Sequence, residues 1–113
     1  MTFRELAENL EMEVDEFLEM LKLFLETTVL DLNQWQSGLD ERNSEKVIMS
    51  AHSIKGAAVN LGLMEIYEVA KEMEREARKD HLDATDRGIV ILREKVAQMA
   101  ESLKLGEQKA RDR

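Results

Sequence analysis

Ala51-His52-Ser53-Ile54-Lys55-Gly56-Ala57-Ala58-Val59-Asn60-Leu61-Gly62 is the stretch from which the rest of the chain can be read. An α-helix turns about 100° per residue, so residues three, four and seven apart share a face. Val47, Ala51, Ile54, Ala58 and Leu61 fall on one such face, the apolar stripe that a core takes up. His52, Lys55, Gly56 and Val59 fall on another, beside the core face and turned toward solvent. The segment is predicted to be a helix with one buried side and one side carrying a histidine, a cation and a missing side chain.

The neighbouring segments repeat the helical spacing. Asn43 or Ser44 can cap this third helix, and it ends near Gly62. Upstream, Val14, Phe17, Leu18, Leu21, Leu25, Thr28, Leu32 and Trp35 recur at three- and four-residue steps. They predict a helix from about Glu13 to Ser37, with Gly38 as its stop and Leu39–Asn43 as a polar connection. Thr2 followed by Glu5 has the spacing of a capping box and opens a short helix carrying Phe3, Leu6, Ala7 and Leu10. Downstream, a fourth helix begins near Met64 and turns Ile66, Ala70, Met73 and Ala77 inward. His81–Ala84 reads as a short link, with His81 exposed and idle. Ile89, Leu92, Val96, Met99 and Leu103 then mark the fifth helix.

Four amphipathic helices of this length on short links bury their stripes best against one another. The expected fold class is all-α: an antiparallel four-helix bundle with a short additional N-terminal helix. Residues 1–105 are expected to form a single domain and 106–113 a polar, frayed C-terminal tail.

Composition narrows the chemistry. The chain has 113 residues, enough for a core without staples, and no Cys, which removes disulfides, thiolate metal sites and catalytic thiols. The absence of Pro suits long helices. No apolar run approaches the roughly 20 residues of a membrane span, and the N-terminus has no apolar signal region, so a cytoplasmic protein is expected. A net charge of −8, with the charges interspersed, argues against non-specific nucleic-acid binding. The one local exception is Lys71, Arg75, Arg78 and Lys79, a small positive patch unless neighbouring glutamates cancel it.

Gly inside a helix costs about 1 kcal/mol relative to Ala, so Gly56 calls for a reason. Close packing against another helix is one. Its place on the His52 side, away from the core stripe, gives another: room for a second backbone or a phosphoryl group to approach. Lys55, one turn from His52, is placed to balance the charge of such a group.

The run Ala51-His52-x-x-Lys55-Gly56-x-x-x-x-Leu61-Gly62 closely resembles the histidine-containing phosphotransfer (HPt) domain of multistep phosphorelays. The match includes Ile54 before Lys55, the small Ala57 and Ala58, and the Leu-Gly pair that ends the helix. The helical layout from about Glu13 to Leu103 fits that family's four-helix bundle. The resemblance implies that His52 is phosphorylated, that Lys55 stabilises the phosphoryl group and that Gly56 makes room for the partner. The chain departs from the family at Ala57 and Ala58, where many members carry Ser. It departs again on the next helix, where some place a Gln that hydrogen-bonds the active imidazole. Glu72, Glu74 and Glu76 stand there instead, and a carboxylate can either orient the ring or repel the phosphoryl charge.

A histidine near its unperturbed pKa of about 6.5 is largely neutral at pH 7 and offers one ring nitrogen as a nucleophile. The resemblance implies a phosphocarrier without kinase activity of its own. It would exchange its phosphoryl group with aspartates of response-regulator receiver domains and with a sensor or hybrid histidine kinase. No bound cofactor is expected, Mg²⁺ coming from the receiver partner, and no nucleic acid or membrane is involved. The partner-binding face is expected around His52, from Glu45, Ile48, Met49 and Val59, on a protein expected to be a monomer.

Three other functions compete. His52-Ser53-Ile54-Lys55-Gly56 also resembles the phosphorylated N-terminal domain of chemotaxis histidine kinases, although an opening Met1 and a polar tail favour a free-standing carrier. A di-iron bundle needs Glu-x-x-His pairs, and Met49 and Arg78 stand three residues before His52 and His81. A non-catalytic helical adaptor would leave His52 inert.

Overall fold

The computed structural model describes the backbone of residues 2–111 and the side chains of residues 2–105. Among these residues it contains five helices: α1 (Phe3–Asn9), α2 (Val14–Asp40), α3 (Ser44–Asn60), α4 (Met64–Arg78) and α5 (Leu82–Arg111). α2 packs on α3, α3 on α4, α4 on α5 and α5 back on α2, closing a four-helix bundle. α1 lies on α2, where the rings of Phe3 and Phe17 are 6.3 Å apart. No described helix is long and apolar enough to cross a membrane.

The helix starts follow from capping chemistry. Thr2 accepts the Glu5 backbone N–H at 3.1 Å and donates its hydroxyl to the Glu5 carboxylate. Asn43 accepts the Lys46 N–H at 3.2 Å. Each cap satisfies a donor that the first turn leaves open. α3 ends where Gly62 takes a φ of +71°, and Leu63 returns its N–H to the Ala58 carbonyl at 2.9 Å. This is the left-handed stop that Gly adopts at little cost.

Two expected boundaries move. Gly38 does not stop α2, which continues to Asp40. A Cβ on Gly38 would lie 2.9 Å from Lys46 Cβ and Val47 Cγ2, so this glycine lets α2 and α3 approach closely. The turn is made instead by Arg42, at a φ of +53°. The connection is therefore shorter than Leu39–Asn43, and Leu39 packs against the core. The expected link His81–Ala84 is also mostly helix, because α5 begins at Leu82. Asp80, at a φ of +62°, makes that turn and accepts the Ser44 hydroxyl.

Phe17, Leu21, Leu32, Trp35, Val47, Ala51, Ile54, Ala58 and Leu92 fill the bundle interior. Burying a side chain as large as Leu or Phe contributes about 1.5–3 kcal/mol each. The Trp35 indole N–H donates to the buried Thr85 hydroxyl at 3.3 Å, which in turn donates to the Leu82 carbonyl at 2.7 Å. That relay ties α2 to the first turn of α5. Met73 and Met99 pack on the rim of the core, partly exposed. The expected polar tail, 106–113, lies outside the residues whose side chains are described, and the α5 backbone runs through it as far as Arg111.

Candidate functional site

Because Ala51 and Ile54 are drawn fully into the core, the intervening His52 and Ser53 point outward. The His52 side chain is 64% exposed. Across the α3–α4 groove, Glu74 reaches back to it: His52 Nδ1 lies 3.3 Å from Oε1 and 3.2 Å from Oε2. Lys55 Nζ meets Oε1 at 2.8 Å. Arg78 donates twice to Oε2, from Nε at 3.0 Å and Nη2 at 2.7 Å. One carboxylate thus gathers a histidine and two cations.

Glu74 itself is 6% exposed. Burial raises its pKa, but the hydrogen bonds from Lys55, Arg78 and His52 outweigh that and hold it at about 2. It is therefore ionised at neutral pH. A carboxylate can only accept, so the ring hydrogen sits on Nδ1 and the lone pair of the neutral imidazole on Nε2. Among the described residues Nε2 makes no hydrogen bond. The cluster of Glu74, Lys55 and Arg78 carries a net charge of +1 beside that nitrogen.

The surroundings are open. A Cβ built on Gly56 meets nothing within 4 Å, so no helix packs there. Met49 and Val59 stand exposed on either side of His52, at 57% and 44%, with Glu45 exposed one turn beyond Met49. Ile48, expected on the same face, is half-buried and packs against the core. On the other flank the Ser53 hydroxyl donates to Asp31 of α2 at 2.8 Å, and burial pushes the Asp31 carboxyl up against that bond.

Beyond His52, toward α4, a cleft of about 240 Å³ is lined by Lys55, Lys71, Glu72, Glu74, Arg75 and Arg78. A larger cavity of about 570 Å³ lies elsewhere, between α1, the α3–α4 turn and α5, and contains none of these residues. Among the described residues no three His, Asp or Glu side chains are arranged to hold a metal ion. His81, at the head of α5, is exposed with Nδ1 2.9 Å from Glu76.

The sequence singles out His52, Lys55 and Gly56 as candidates, leaves three glutamates open and offers Arg78 only as patch charge. Geometry separates the glutamates: Glu72 pairs with Arg75, Glu76 with His81, and only Glu74 faces α3. A signal was present. Ile66, Ala70, Glu74 and Ala77 share the buried face of α4. A carboxylate in that register, four residues before an Arg, announces a paired buried charge.

The fold has counterparts among known proteins. The Hpt domain profile matches residues 19–104. The crystal structure of histidine-containing phosphotransfer protein B from Pseudomonas aeruginosa superposes with a TM-score of 0.80 at 25% identity, covering 94% of this chain and 92% of that one. No curated protein sequence matches the chain.

Proposed function

The chain belongs to the Hpt domain family, the histidine phosphotransfer proteins of phosphorelays, and we propose that His52 is the residue that carries the phosphoryl group. The observation that supports this most is the Glu74 carboxylate on Nδ1, which leaves the lone pair on the exposed Nε2.

In the forward step the Nε2 lone pair attacks the phosphorus of an aspartyl phosphate on a receiver domain. The Nε2–P bond forms, the P–O bond to the aspartate breaks, and the aspartate leaves as a carboxylate. The Nδ1 hydrogen stays in place, hydrogen-bonded to Glu74, and the positive charge developing on the ring is stabilised by that carboxylate. Lys55 Nζ, held 2.8 Å from Oε1 of the same carboxylate, balances the phosphoryl oxygens, and Gly56 leaves the approach clear. The reverse sequence returns the group to another aspartate.

Phosphoryl transfer is chiefly positioning and charge stabilisation, which this site supplies without nucleotide chemistry. We read the protein as a carrier without kinase activity of its own, acting from the cytoplasm as a monomer. The Mg²⁺ used in transfer comes with the receiver. Met49, Val59 and Glu45 border the partner's approach, with Ile48 beneath them.

Nitrogen-15 NMR of the labelled imidazole tests the assignment. Hydrogen on Nδ1 in the resting protein and phosphorus coupling to Nε2 in the phosphorylated one are expected. Coupling to Nδ1, or to His81, would overturn it.

A further inference from the structure

His52 divides two unlike surfaces. On its α2 side lie Met49 and the Ser53–Asp31 pair, while on its α4 side the cleft holds four cations, Lys55, Lys71, Arg75 and Arg78, against two carboxylates, Glu72 and Glu74. That is a net of +2 in a chain whose total is −8. Lys71, Arg75 and Arg78 recur at steps of four and three, so they form one exposed stripe along α4. Lys71 makes no ion pair among the described residues and lies 5.8 Å from the centre of the Tyr67 ring, a contact that keeps its charge along the helix face. Glu72 takes up only one cation, through Arg75 at 2.5 Å; Glu76 stands to the side of the stripe, and the exposed Glu68, three residues before Lys71, adds one negative charge at its N-terminal end.

We propose that the α4 stripe of Lys71 and Arg75, with the cleft behind it, is a docking edge for an acidic surface of the receiver partner. The inference rests on the reading of His52 as the phosphocarrying residue and adds where the partner's negative charge comes to lie. Charge complementarity selects the occupant. The group to be exchanged is an aspartyl phosphate, anionic in itself, and it must be brought to a chain whose net charge is −8. A local positive edge beside the accepting nitrogen orients that encounter and raises its rate. Exposed charges of this kind act on association and its salt dependence more than on the chemical step.

The test compares wild type, the K71E/R75E double variant and, as a control on α5, Lys104→Glu, using a phosphorylated receiver domain. Transfer is followed under sub-saturating conditions at low and high salt, and receiver binding is measured by calorimetry in parallel. Thermal melting by circular dichroism confirms folding, and the single variant Lys71→Ala serves if the double variant melts early. The second-order rate constant of the double variant is expected to fall on the order of tenfold at low salt, with a flatter salt dependence, while the control stays within about twofold. Unchanged rate, affinity and salt dependence in the double variant would overturn the proposal. So would calorimetric binding of tripolyphosphate to wild type that is lost in the double variant while receiver affinity stays intact, which would make the cleft a site for nucleotide phosphates. Receiver binding that weakens in the double variant, together with label that persists in His52→Gln, would sink the His52 reading alone.

Discussion

His52 Nδ1 lies 3.2 Å from Oε2 of Glu74, a carboxylate 6% exposed that also takes Lys55 on Oε1 and Arg78 on Oε2. The open question of whether a glutamate on the fourth helix orients or repels has a geometric answer. The two cations outnumber the carboxylate, so orientation comes without net negative charge at the ring. Replacing Glu74 by Gln preserves an acceptor for Nδ1–H, whereas Ala removes it. Phosphotransfer should remain within about threefold of wild type in Glu74→Gln and fall about tenfold or more in Glu74→Ala. Equal rates in all three would mean the contact is only structural.

The same carboxylate makes stability depend on pH. Its pKa is about 2 in the folded protein against an ordinary 4.5. A depressed folded pKa gives stability that is fully present above pH 4.5 and is lost as pH falls toward 2. The full shift corresponds to roughly 3 kcal/mol, and screening of the half-exposed Arg78 and His52 reduces it to about 2 kcal/mol. Urea denaturation at a series of pH values should therefore show wild type losing about 2 kcal/mol more than Glu74→Gln between pH 5 and pH 2.

Gly56 and Gly38 should respond to alanine with opposite signs. At Gly56 the added methyl meets nothing, and the helix gains about 1 kcal/mol of propensity. At Gly38 it meets Lys46 Cβ and Val47 Cγ2 at 2.9 Å, which costs about 1–3 kcal/mol of repacking. A larger residue at Gly56, such as Gln, should leave the melting temperature near that of wild type and slow transfer from a receiver. Paired melting and transfer assays read both effects.

Arg42 holds a φ of +53° to turn α2 into α3. Its salt bridge to Asp83 spans 3.8 Å between two exposed side chains and contributes little. Arg42→Gly should relieve the left-handed strain and stabilise the protein by about 0.5–1 kcal/mol, seen as a higher denaturation midpoint.

Much of this was legible because period and capping are local properties. The apolar face Val47-Ala51-Ile54-Ala58-Leu61 is buried as its spacing predicts, and Thr2 and Asn43 cap as their types predict. The misplaced boundaries were set by contacts distant in sequence. Gly38 resembles a helix stop until Val47 is known to lie against it, and Leu82 resembles a link until Thr85 is found under Trp35. The register of Glu74 on the buried face of α4 was legible, but its link to His52 was not, since that depends on the packing of α4 against α3.

The most direct test of the account follows phosphoryl label from a phosphorylated receiver domain onto wild type and onto His52→Gln. Acid-labile, alkali-stable label on wild type and none on His52→Gln is the predicted result. Label of equal extent on both proteins would contradict it and place the phosphorylated residue elsewhere in the chain.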